Sequence, residues 1–108
     1  MTGHYSVYIA APDRDTALAI ARTLVEERLA ACANLIGPIA SVYRWEGRVH
    51  AEGEVALIAK TTEARLAALI ARVKALHPYQ VPCIVAWPIA AGYAPYLEWI
   101  SSETQPEA

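Results

Sequence analysis

The chain has 108 residues, a length that suits one domain spanning 1–108 and leaves too little for two. Apolar residues make up 56% of it, much of that alanine, with no phenylalanine, so Trp45, Trp87, Trp99 and six tyrosines supply the aromatic contacts. A formal net charge of −2, with Arg14, Arg22, Arg28, Arg65 and Arg72 dispersed among acids, argues against a nucleic-acid partner.

No apolar run reaches the length of a membrane span, and "MTGHYSVYIA" lacks the basic start and cleavage site of a signal peptide. Cys32 and Cys83 stand far apart without a Cys-x-x-Cys spacing, which suits a reducing compartment. The expectation is a cytoplasmic protein without a membrane partner.

In chain order, residues 4–10, "HYSVYIA", read as a first strand, ended at Pro12. Asp13 or Asp15 is placed to cap a helix from Thr16 to about Ala31, whose apolar face carries Ile20, Ala21, Leu24 and Val25. A second extended segment begins near Cys32, with Gly37-Pro38 predicting a bulge or bend. Glu46-Gly47 makes a tight turn, Gly47 being free to adopt positive φ. A third strand runs from Arg48 to about Thr61, its later half apolar on both faces. A helix follows to His77, with Leu66, Leu69, Ile70, Val73 and Leu76 at helical spacing and Pro78 as its stop. Residues 82–90 read as a fourth strand, and Pro95 opens a short helix that places Tyr96, Trp99 and Ile100 on one side. The polar end, from about residue 102 to 108, is expected to fray.

The order β-α-β-β-α-β with a short C-terminal helix predicts an α+β, ferredoxin-like split βαβ fold. Two helices would lie on one face of an antiparallel sheet of strand order 4-1-3-2, and the hairpin between the second and third strands would be extended. Strands of about 14 residues span roughly 45 Å. Helices of about 15 residues cover only about 22 Å of such a sheet. The overhang still carries Val42, Tyr43, Trp45 and Val49, an apolar ribbon prone to unwanted pairing unless a partner completes it. These four are the candidate subunit interface of a closed homo-oligomer.

The segments "APDRDTALAIARTLVEERLAACAN", "SVYRWEG", "EVALIAKT", "HPYQVP" and "PIAAGYAPYLEWI", in this order and spacing, resemble the CutA divalent-cation tolerance proteins over nearly the whole chain. The resemblance implies a ferredoxin-like homotrimer whose long hairpins join sheets between subunits, similar in architecture to the PII signalling proteins. It also implies a response to divalent metal ions, with copper binding described in the family. Proposed copper ligands there include a cysteine on the first strand and histidine before the Pro-Tyr pair. Here Ile9 occupies the first position and Leu76 precedes His77, which leaves His77 as the candidate metal ligand. Cys83 stands where many relatives carry glutamate.

No Gly-x-Ser-x-Gly elbow and no phosphate-cradling glycine loop occurs, so neither an enzyme nor a required cofactor is expected. His77 also suits a structural role, capping the final carbonyls of its helix and packing beside Tyr79. Cysteines in such settings are more often small buried hydrophobes than ligands, and Cys32 and Cys83 fall on opposite sheet edges. Three readings follow: a trimer responding to divalent cations with weak copper binding, a PII-like sensor of a small anionic metabolite between subunits, and a structural assembly module.

Overall fold

A computed structural model describes residues 2–106. Seven elements follow one another: β1 (His4–Ala11), α1 (Arg14–Glu26), β2 (Cys32–Trp45), β3 (Arg48–Thr62), α2 (Glu63–Leu76), β4 (Ile84–Pro88) and α3 (Ala94–Glu103). The four strands form one antiparallel sheet in the order β2-β3-β1-β4, so the fold is the ferredoxin-like α+β arrangement.

Alternation along β1 and β3 divides the sheet into two faces. Val7, Ile9, Leu57 and Ala59 project to one face, where Ala17, Ile20, Ala21 and Leu24 of α1 and Leu69 and Val73 of α2 bury them. Each of these core side chains is less than a tenth exposed, and burying a valine, leucine or isoleucine among them contributes about 1.5–3 kcal/mol. His4, Ser6, Tyr8 and Ala10 project to the other face, together with Lys60, Ile58, Ala56 and Glu54. α3 packs on this second face at one end only. Its Ser101 hydroxyl meets His4 Nε2 at 2.8 Å and its Tyr96 hydroxyl meets Cys32 Sγ at 3.2 Å.

Two helix ends differ from expectation. α1 stops at Glu26 rather than Ala31, because Arg28 turns into the left-handed region at φ 58°. The amides of Arg28 and Leu29 then bond back to the carbonyls of Val25 and Leu24, closing a Schellman motif without the usual glycine. Val25 consequently lies outside the buried stripe, at 41% exposure. The polar tail expected to fray from about residue 102 instead prolongs α3 to Glu103 and buries Thr104, whose hydroxyl donates to the Ile100 carbonyl at 2.8 Å. Positions 107 and 108 of that tail lie outside the described residues.

The hairpin is as long as its strands predicted. β2 and β3 pair from Cys32↔Lys60 to Trp45↔Arg48, closed by Glu46 and Gly47, both at positive φ. That two-residue turn has the handedness that matches strand twist. The molecule extends 44 × 28 × 21 Å, and its radius of gyration of 14.4 Å exceeds the roughly 13 Å of a compact chain this long. The excess is the hairpin, which projects beyond both α1 and α2.

Candidate functional site

The bulge at Gly37-Pro38 decides which side chains the hairpin presents. Ile36 pairs with Ala56 and Ile39 with Glu54, three steps along β2 against two along β3. One extra residue reverses the side-chain parity of everything that follows. Before the bulge, Cys32 and Asn34 share the second face with Lys60 and Ile58; after it, Ser41, Tyr43 and Trp45 do. Gly37 is required there, since a Cβ at this position would lie 3.2 Å from the Val55 Cα and 3.3 Å from the Ala56 nitrogen.

A cavity of about 610 Å³ results, on the part of the second face that α3 leaves uncovered. Tyr8 and Ala10 of β1 form its floor, while Tyr43, Trp45, Glu52 and Glu54 of the hairpin form one wall. The segment from Tyr79 to Cys83 forms the other wall.

His77 holds that second wall. Its Nε2–H donates to the Ala10 carbonyl at 2.7 Å, and its Nδ1 accepts the Tyr79 amide N–H at 3.1 Å. A carbonyl can only accept and an amide N–H can only donate, so the tautomer is fixed and both ring nitrogens are engaged. The ring is 7% exposed and lies 4.7 Å from the Tyr79 ring. The expected packing beside Tyr79 is present, with the two rings tilted by 56°. His77 caps α2 through its backbone N–H, which donates to the Val73 carbonyl at 2.8 Å, whereas its imidazole bonds to β1 and not to the helix's own carbonyls. A metal at this imidazole would have to displace one of the two bonds. Cys32 and Cys83 lie at opposite edges, Cys32 on β2 and Cys83 beside β4, and among the described residues no three His, Cys, Asp or Glu side chains converge.

The electrostatics of the cavity are set by two carboxylates. Glu52 accepts the Tyr43 hydroxyl at 2.8 Å and lies 3.9 Å from His50, which stacks on Tyr43. Glu54 is 9% exposed, and the hydrogen bond it accepts from the Tyr79 hydroxyl is long at 3.3 Å. Burial, then the Glu54 charge, pushes the Tyr79 hydroxyl up to about 12. The same two causes, in that order, raise the Cys83 thiol. Tyr43 rises through its bond to Glu52. Tyr43, Tyr79 and Cys83 thus each sense a nearby carboxylate and restricted water.

The four candidate interface residues divide between the hairpin's two faces. Tyr43 and Trp45, each 39% exposed, turn toward the cavity; Val42 and Val49, at 72% and 63%, turn away. Glu52 and Glu54 were not singled out from the sequence, because acids in a strand near a turn read as solvated rim charges. A signal was present in the unbroken alternation of Glu52, Glu54 and Ala56 from an overhang onto a buried face.

The protein-family model described as CutA1 divalent ion tolerance protein matches residues 5–103. A divalent-cation tolerance protein CutA of Thermus thermophilus is 50% identical over 98 residues, covering 91% of this chain and 95% of that protein. A chloroplastic CutA 1 of Oryza sativa is 43% identical over 92% of this chain, which spans only 56% of that longer protein. The crystal structure of CutA from Xylella fastidiosa superposes with a TM-score of 0.93 at 38% identity, covering 95% of this chain and 99% of that one.

Proposed function

The chain belongs to the CutA1 divalent ion tolerance protein family, and from that premise we propose that it acts as a homotrimer in the response to divalent metal ions, with weak copper binding. The observation that carries this reading is the hairpin, which projects past its own helices with Val42 and Val49 mostly exposed. A free two-stranded ribbon is marginal in water, and three copies that continue one another's sheets would bury both of its faces.

The weakness of the metal contact follows from His77. Turning either ring nitrogen to copper leaves a buried amide or carbonyl unpaired, at a cost of about 1–3 kcal/mol. Relatives are named for cation tolerance and not for a reaction, and no catalytic role is assigned to any side chain here. The cytoplasmic setting we propose rests on the two free thiols, Cys32 and Cys83. Among the described residues no helix is long and apolar enough to cross a membrane.

Light scattering at micromolar concentration is expected to give the mass of three chains; a monomer would overturn the trimer. Cu²⁺ binding is read by thermal shift, where saturation at one hundred times Kd adds about 2.7 kcal/mol. Loss of that response in His77→Ala supports the metal contact, and a response only to organic acids supports the anion-sensing alternative. Within one chain that alternative is disfavoured, because Glu52 and Glu54 would repel an anion from the cavity.

A further inference from the structure

We infer that the cavity is completed by a second copy of this chain: Arg48 of the partner subunit enters it and pairs with Glu54. The inference rests on the homotrimer reading and names the side chain that one copy supplies to the next. Within one chain two charges are left unmatched. An ionised carboxyl offers about four acceptor positions, and Glu54 uses one of them on a 3.3 Å bond while nine-tenths buried. A buried carboxylate in that condition is stabilised by a cation that brings its own donors. Arg48, exposed beside the hairpin turn, meets no carboxylate among the described residues. The two cannot serve each other in one chain, because the six steps along β3 from Arg48 to Glu54 span about 20 Å.

Topology brings them together between copies. The outer strands of the sheet are β2 and β4, and a contact between unlike edges closes copies into a ring. The β2 overhang of one copy then lies along β4 of the next and along the Tyr79–Cys83 segment that leads into it, which is a wall of the cavity. Parity selects the arginine. Arg48 pairs with Trp45 and shares the face that carries the cavity, whereas Arg44 pairs with Val49 on the opposite face. The remaining cations sit on α1, on α2 and in the turn after α1, or, like Lys60 opposite Cys32, at the end where α3 packs. A guanidinium fork matches a carboxylate, and the rings of Tyr8 and Tyr79 offer their faces to its charge.

Subunit exchange between unlabelled and isotope-labelled protein, followed by native mass spectrometry, reads this contact in the full chain. Arg48→Gln should speed exchange at least about ten-fold, because it strands the buried Glu54 charge. Arg44→Gln, on the other face, should change it at most about two-fold. Arg48→Lys keeps the charge and should recover part of the loss. The double variant Arg48→Gln/Glu54→Gln should exchange more slowly than Arg48→Gln alone, since no charge is then left without its cation; a merely structural Glu54 would make the double variant worse than either single one. Glu54→Gln keeps an oxygen for the Tyr79 hydroxyl, and circular dichroism checks each fold. A parent of trimer mass in which the two substitutions add, in which Arg44→Gln matches Arg48→Gln, or in which Arg48→Gln leaves exchange unmoved overturns the pairing and leaves the trimer. A monomeric parent removes both.

Discussion

The Nε2–H of His77 meets the carbonyl oxygen of Ala10 at 2.7 Å, joining the residue that caps α2 to the next-to-last residue of β1. Ala10 also donates its amide to the Cys83 carbonyl at 3.4 Å, so one β1 residue anchors both ends of the 77–83 segment. The cavity wall is therefore as firm as these bonds.

His77→Ala should destabilise the metal-free protein by about 2–4 kcal/mol, since it strips two backbone groups of their partner and empties a buried ring site. Urea denaturation in the presence of a chelator measures this. A variant as stable as the parent would mean that the imidazole is not holding the wall.

Replacing Val42 or Trp45 with Glu should each weaken assembly at least ten-fold while far-UV circular dichroism stays the same. Each change loses the roughly 1.5–3 kcal/mol of burying one large apolar side chain, on opposite faces of the ribbon. Light scattering across a dilution series reads the outcome. If only one variant dissociates, only that face of the hairpin is covered.

Gly37→Ala should cost about 1–3 kcal/mol, because the new methyl meets β3 backbone, which cannot move aside without breaking pairing. Gly53→Ala, where nothing lies within 4 Å, should stay within about 0.5 kcal/mol of the parent. Equal effects at the two positions would contradict the close approach at the bulge.

Stability should fall at alkaline pH through Tyr79 and Tyr96. Both hydroxyls are pushed up to about 12, Tyr79 by burial and then Glu54, Tyr96 by its bond with Cys32 and then burial. A phenol whose folded pKa lies above its unfolded value of about 10 favours folding in its protonated form. The contribution is whole below about pH 10 and is lost as pH rises toward about 12. Denaturation midpoints across that window should decline less steeply in Tyr79→Phe and Tyr96→Phe. An unchanged slope in both would show that neither hydroxyl is linked to folding.

The architecture was legible in the sequence because period and punctuation are local. Alternation in "HYSVYIA", helical spacing from Leu66 to Leu76, and stops at Pro12 and Pro78 depend on near neighbours alone, and they give the element order and the overlong hairpin. What the sequence left undecided were quantities set by contacts between distant segments. Arg28 takes a left-handed turn usually given to glycine, and Thr104 is buried in a tail of polar residues, because the surrounding fold stabilises both. The single-residue slip at Gly37-Pro38 was visible as a bulge, but only pairing with β3 determined that it turns Tyr43 and Trp45, rather than Val42 and Arg44, toward Glu54. Side-chain direction in a strand has a period of two residues, so one inserted position reverses it, and register is a property of two strands that neither one carries alone.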